Sequence, residues 1–285
     1  MNTEMPSLVL DVHQHVGALD AGGGTVATAS LSDEQKGRIE LLDSLGFTAA
    51  AVMPSLQYMR PEGIADTRRV NNEIARYRDQ EIERFPLAFG TSEPLHGERL
   101  AREEIVRLSE ELQLDGVVWH HRFQGVFADD SRMHALLDEC AARGLPALIH
   151  LFAESDMESP HALEAIAAAH GDVTFIALDA FTGYEQTAAL VQVAKRCPNL
   201  YLETAGCVPL TRVLGRVMGE IGSERLIFGT DCYLEPRMWN EPNGLRELQL
   251  DPRITDSDRE NILWNNALRI FPQLAERLRH VSAPR

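Results

Sequence analysis

The sequence predicts an α/β fold, a (β/α)8 TIM-like barrel, built as a single domain over residues 1–285. Eight short apolar runs recur along the chain, and amphipathic segments separate most of them. Several of the runs are apolar almost without interruption, as expected for parallel strands covered on both faces. The length of 285 residues also fits the roughly 250 typical of such barrels. A doubly wound open sheet is the main competing architecture, and no Pro-, Gly- or Ser-rich linker divides the chain.

The predicted strands are, in order, Leu8–Val12, Ala49–Met53, Pro86–Gly90, Gly116–Trp119, Ala147–Ile149, Val173–Leu178, Leu200–Glu203 and Leu226–Gly229. Between the third and fourth, Glu98–Leu112 places Leu100, Ile105, Leu108 and Leu112 on one helical face. Between the fourth and fifth, Met133–Arg143 does the same with Met133, Leu136, Leu137 and Cys140, and Gly144 stands at the position of a C-cap. Near the end, Thr255 and Asp258 have capping-box spacing ahead of Ile262, Leu263, Leu268 and Ile270.

Composition narrows the function. A net charge of −16 argues against nucleic acid and anionic membranes as partners. It leaves room for an anionic small molecule, because local charge in a cleft can oppose the net charge. Of the 27 basic residues only Lys36 and Lys195 are lysine, both in polar helical settings, which disfavours any mechanism needing a lysine in the site. No apolar stretch reaches the ~18 residues of a membrane span, and Met1–Leu10 lacks the pattern of a secretory signal. Cys140, Cys197, Cys207 and Cys232 are scattered, which predicts reduced thiols and a cytoplasmic location. There is no Walker loop, no G-x-S-x-G elbow and no G-x-G-x-x-G fingerprint. Gly22-Gly23-Gly24 reads as a flexible loop near the mouth of a site.

Polar residues end the apolar runs. The first continues as Asp11-Val12-His13-Gln14-His15. Side chains two apart on a strand share a face. With Leu8, Leu10 and Val12 packed outward on helices, His13 and His15 face the barrel interior, and Asp11 shares their face. The fourth run ends in His120-His121, the fifth in His150, the sixth in Asp179 and the eighth in Asp231. In a closed barrel these ends meet at one mouth, where barrel enzymes place their chemistry. A single histidine after a strand is more often a hydrogen-bonded core residue. Three imidazoles and a carboxylate converging there form a reasonable ligand set for a divalent metal such as zinc.

With these motifs the chain resembles the amidohydrolase superfamily, in particular its amidohydrolase-2 branch of aromatic-acid decarboxylases and small lactonases. The resemblance runs through Asp11-x-His13-x-His15, Asn72-Glu73, Arg84-Phe85-Pro86-Leu87-Ala88, Leu114-Asp115-Gly116-Val117-Val118, Gly144–His150, Arg225–Asp231 and Asn266–Phe271. It implies one divalent metal ion, zinc or manganese, bound by His13, His15 and His150, with Asp231 as ligand or proton acceptor. Larger superfamily members bridge two metals with a carboxylated lysine on strand four, and Val117-Val118-Trp119-His120 has none. The resemblance also implies a homodimer.

One departure stands out. The family pattern ends strand six in a histidine that activates water or shuttles protons, and here Asp179 holds that position. An aspartate can serve as a base, but its ordinary pKa near ~3.9 makes it a poor acid unless burial raises it.

The expected activity is metal-dependent hydrolysis of an ester, lactone or amide in a small organic acid, with Asp231 or Asp179 as proton acceptor. Decarboxylation on the same metal site, a metal-independent lactonase, and a barrel altered by Asp179 are the alternatives. His120, His121 and Arg122 after strand four, and Arg60 in Tyr58-Met59-Arg60-Pro61, are candidate contacts for a substrate carboxylate. Cys232 reads as a packed thiol and Trp119 as barrel core, while Trp239 is a candidate loop residue over the site.

Overall fold

A computed structural model of the chain describes residues 8–17, 31–56, 60–206, 213–234 and 243–279. Gly22–Gly24, Tyr58, Met59, Cys207 and Trp239 lie outside these residues. The strands are β1 (Leu10–Val16), β2 (Ala49–Pro54), β3 (Leu87–Gly90), β4 (Gly116–Trp119), β5 (Ala147–His150), β6 (Phe175–Leu178), β7 (Leu200–Glu203), β8 (Leu226–Ile227) and β9 (Cys232–Tyr233). All described pairings are parallel, in the order β8-β7-β6-β5-β4-β3-β2-β1-β9. β8 and β9 are two pieces of one barrel position, interrupted at Phe228–Asp231. β9 pairs with β1, and Val12 N donates to Phe228 O at 3.0 Å, which closes the (β/α)8 barrel.

Around the barrel run α1 (Leu31–Leu45), α2 (Ile64–Gln80), α3 (Glu98–Glu110), the short α4 (His121–Gln124), α5 (Ser131–Arg143), α6 (Pro160–Ala169), α7 (Tyr184–Arg196) and α8 (Val213–Ile221). They are followed by α9 (Asn243–Leu250), α10 (Asp256–Glu260), a π-turn over Asn261–Asn265, α11 (Asn266–Ile270) and α12 (Leu274–Arg277). Local chemistry sets the helix ends. The Asp130 side chain accepts from Arg132 N at the start of α5, and Gly144 ends it at φ 63°. Thr255 and Asp258 form a reciprocal capping box on α10. Among the described residues no helix is long and apolar enough to cross a membrane. Cys140, Cys197 and Cys232 are buried and form no disulfide among the described residues.

Alternation along the strands divides the apolar side chains into two layers. Ala50, Val52, Val117, Trp119, Ile149, Phe175 and Leu202 pack outward against the helices. Leu10, Val12, Ala51, Met53, Phe89, Val118, Leu148 and Ile176 fill the barrel, joined from below by Ala267, Phe271 and Leu274. The segment carrying Ala267, Phe271 and Leu274 therefore plugs the floor, and Arg277 fastens it through Pro86 O at 2.6 Å and Asp115 at 2.8 Å.

The placement of Leu10 and Val12 inside the barrel reverses the outward packing expected for them. The reason is a register shift between Asp11 and Gln14 in the β1–β2 ladder. The irregularity flips side-chain parity, so residues 10 and 12 and then residues 13 and 15 all face inward.

β4 and β5 approach closely at Gly116, where an added Cβ would lie 2.9 Å from Leu148 Cδ1 and 3.0 Å from Pro146 O. The Gly116→Ala variant is expected to lose about 1–3 kcal/mol of unfolding free energy, the usual cost of overpacking. Denaturant melting checks this, and an unchanged midpoint would show that the layer has slack.

Candidate functional site

Parallel strands put all their C-terminal ends at one mouth, and His13, His15 and His150 meet there, each no more than 1% exposed. Nε2 of His13 lies 3.0 Å from Nε2 of His15, which lies 3.3 Å from Nε2 of His150. The opposite nitrogen of each ring has a fixed partner. His15 Nδ1 is 2.8 Å from Pro54 O, and His150 Nδ1 is 2.9 Å from Trp119 O. Carbonyl oxygens only accept, so both Nδ1 atoms carry the proton and both Nε2 atoms present lone pairs. His13 Nδ1 is 3.0 Å from Glu203 Oε2; both Glu203 oxygens also accept backbone N–H groups, and in its ionised form this carboxylate fixes the same tautomer.

Three lone pairs thus point at one another with no hydrogen between them. Protonating a ring would place a charge in a desolvated pocket. Burial, with further contributions from neighbouring groups, holds His13 and His150 well below the ordinary imidazole range and brings His15 down to about 4. A cation at the centre resolves the conflict. Asp231 Oδ1 completes a fourth corner, 3.2 Å from His15 Nε2 and 3.4 Å from His13 Nε2. Ligand atoms on a tetrahedral zinc stand roughly 3.3 Å apart, so these spacings suit a metal.

The backbone around the site is unusual. Asp179 and Asp231 have φ of 57° and 54°, the left-handed region that non-glycine residues rarely enter. These turns end β6 and interrupt the eighth strand, and each lies at the mouth. The break before Asp231 is held by Asp11, which accepts from Thr230 N at 3.1 Å and Thr230 Oγ1 at 2.5 Å. Asp11 stays out of the histidine cluster; it also accepts from His13 N at 3.0 Å and Gln14 Nε2 at 2.8 Å.

Sequence patterning alone does not single out Glu203, at the end of β7. Its signal was the one that marks the other strand ends, a polar residue closing the apolar run Leu200-Tyr201-Leu202. It is fully buried, accepts from Asp179 N at 3.1 Å and from Ala205 N, and orients His13. Gly229 leaves room for it, since a Cβ there would collide with the Glu203 carboxylate. His13, Asp179 and Glu203 form a second close group of ligand-type atoms. Burial raises Asp179 well above the ordinary carboxyl range, and Asp231 and Glu158 push it further while Arg122 opposes. Burial, with Asp11 behind it, likewise raises Asp231.

The residues after β4 divide. The His120 ring stacks on His150 at 4.4 Å and 4°, and its Nδ1 is 2.5 Å from Glu158 Oε1. Arg122 lays its guanidinium over Phe152 at 3.9 Å and Phe123 at 4.7 Å, and among the described residues it has no carboxylate partner. Arg60 instead pairs with Glu93 at 2.6 Å. His121 is fully buried, and among the described residues neither ring nitrogen has a hydrogen-bond partner.

The amidohydrolase family model matches residues 10–273, and the chain belongs to this family. No curated protein matches it. Among solved structures, 5-carboxyvanillate decarboxylase from Sphingomonas paucimobilis is similar at a TM-score of 0.70 and 17% identity, covering 94% of this chain and 99% of that one. A dihydroxybenzoic acid decarboxylase from Polaromonas sp. JS666, with bound manganese and 2-nitroresorcinol, gives 0.69 and 18%, covering 95% and 99%. A 4-oxalomesaconate hydratase from Rhodopseudomonas palustris gives 0.70 and 12%, covering 95% and 98%. At these identities the likeness shows the shared fold.

Burial brings the His121 pKa down to about 4. The unfolded chain, with a histidine near the ordinary ~6.5, therefore binds one more proton between those values. Stability present above about pH 6.5 is lost as pH falls toward 4, by roughly 2 kcal/mol between pH 7 and 5 from this group alone. The His121→Leu variant is expected to lack that share of the acid-side loss. Urea melts at pH 7 and pH 5 measure it, and identical slopes in both proteins would contradict a buried neutral imidazole.

Proposed function

We propose that this member of the amidohydrolase family is a mononuclear metal-dependent enzyme that hydrolyses an ester, lactone or amide in a small carboxylate-bearing molecule. The observation that carries the reading is the convergence of three deprotonated Nε2 atoms and Asp231 Oδ1 at spacings of 3.0–3.4 Å. His13, His15, His150 and Asp231 would hold one zinc or manganese ion. When bound, such an ion supplies Lewis-acid polarisation and eases the deprotonation of water.

The chain's own residues do the rest. Asp231 turns Oδ1 to the histidines, which leaves Oδ2 to take the proton of the attacking water. Asp231 would be held anionic by the cation it ligates, while Asp179, which is not among those ligands, is raised by burial and by the neighbouring Asp231 and Glu158. The two carboxyls are thereby poised differently, one as base and the other as acid, as acid–base pairs require. Asp179 then delivers its proton to the leaving oxygen or nitrogen. Arg122 binds the substrate carboxylate, its plane fixed by Phe123 and Phe152. Glu158 orients His120, whose Nε2 contacts the substrate beside His150.

Decarboxylation is the second reading, favoured by the same raised Asp179 carboxyl. An acid beside an arginine-held substrate can protonate the carbon that loses carbon dioxide. The similarity to structures of two aromatic-acid decarboxylases supports it.

A panel of lactones, esters, amides and hydroxylated aromatic acids, assayed with product identification, tests the proposal. Turnover is expected to disappear on chelation and return with zinc or manganese. Asp231→Asn is expected to lower kcat at least 10³-fold with the fold intact. Arg122→Met is expected to raise KM at least tenfold for carboxylate substrates, with a smaller effect on kcat. Release of carbon dioxide without a hydrolytic product would replace hydrolysis by decarboxylation. Chelator-resistant turnover would overturn the metal and leave a metal-independent lactonase.

A further inference from the structure

Three of the four converging residues, His13, His15 and Asp231, lie on the two sides of one seam, where β1 meets the broken eighth strand. The backbone ladder at that seam is short: β9 has two residues in register with β1, Gln14 with Cys232 and His15 with Tyr233. Behind it, on the side away from the site, sits Arg38 of α1, a guanidinium with 0% exposure. Its Nη2 donates to His15 O at 2.7 Å. Its Nη1 donates to Gln14 Oε1 at 3.0 Å and to Cys232 O at 3.4 Å. Its Nε donates to Glu34 Oε1 at 3.1 Å, and Nη2 reaches the same carboxylate. One cation thus grips the carbonyl of a candidate metal ligand and the carbonyl of the residue following another.

The clamp continues. Gln14 passes from Arg38 to Asp11, and Asp11 holds Thr230, the residue before Asp231. Burying a guanidinium is costly unless it is paired and fully hydrogen-bonded, and this one is. The arrangement has a geometric use. It ties the strand carrying His13 and His15 to the turn carrying Asp231, where the ladder alone is two residues wide.

We infer that Arg38 is a positioning residue that sets the distance of Asp231 from His13 and His15, and with it the affinity of the site for a divalent cation. The affinity part rests on the metal reading above; the clamp itself does not. The test uses the full chain as Arg38→Met/Glu34→Gln, which removes both charges together, and as Arg38→Lys, which keeps a positive charge but lacks the planar fork. Gln14→Ala is a milder variant that cuts the link to Asp11 without changing charge.

In metal-free protein, amide hydrogen exchange is expected to quicken at least tenfold at residues 13–16 and 230–233, with β4–β6 unchanged. Zinc affinity, measured by competition with a chromophoric chelator, is expected to fall at least tenfold in the double variant and in Arg38→Lys, and less in Gln14→Ala. Exchange that quickens evenly around the barrel, or recovery of both readouts in Arg38→Lys, would overturn the positioning role. A wild-type protein that takes up no zinc would sink the metal reading, while the exchange measurement still decides the clamp. If the double variant does not fold, Gln14→Ala decides both arms.

Discussion

The molecule is organised around three imidazole rings whose outer nitrogens are each bound to a fixed acceptor. Pro54 O, Trp119 O and the Glu203 carboxylate hold the Nδ1 protons, and the three Nε2 lone pairs then face one another at close range. Such a cluster repels itself unless something positive sits within it. The parity flip in β1 serves this arrangement, for without it His13 and His15 would face the helices on the parity of Val9. The interruption of the eighth strand serves it too, because a continuous strand would not bring Asp231 Oδ1 to the same two rings.

The surroundings are correspondingly acidic. Asp11, Glu158, Asp179, Glu203 and Asp231 are all raised above their ordinary range, chiefly by burial. Glu158 reaches about 7 and Asp11 about 6. Arg122 is the cation that lowers Asp179 and Asp231. A buried, electron-rich pocket with an arginine at its edge suits a divalent ion at its centre and an anionic substrate at its rim. At Asp179, where the sequence resemblance places a histidine, burial sets the carboxyl apart from an ordinary aspartate. Burial and neighbouring carboxylates favour the protonated form of Asp179 more than an exposed aspartate would allow.

Much of the barrel was legible because its strands are short, apolar and evenly spaced, and the Gly144 cap and the Thr255–Asp258 box follow from local chemistry alone. The convergence of His13, His15, His150 and Asp231 was legible because strand ends in a closed barrel share a mouth. What the sequence pattern does not reveal depends on contacts far apart in sequence. The inward turn of Leu10 and Val12 comes from a one-residue irregularity that period-2 reasoning does not register. Arg38 reads as an ordinary helix residue until α1 is laid against β1. Glu203 carried a weak signal and gained its role from His13, 190 residues away. Arg60 and Arg122 are equivalent candidates by sequence, and only packing separates the one paired with Glu93 from the one laid over aromatic rings.

The central claim is that the histidine cluster is built for a cation, and metal content per chain is its most direct test. Elemental analysis of untagged protein, purified without chelator, is expected to give close to one zinc or manganese per chain, and none in the His13→Ala/His15→Ala variant. Absence of metal in the unaltered protein, even after soaking in both ions, would contradict the account.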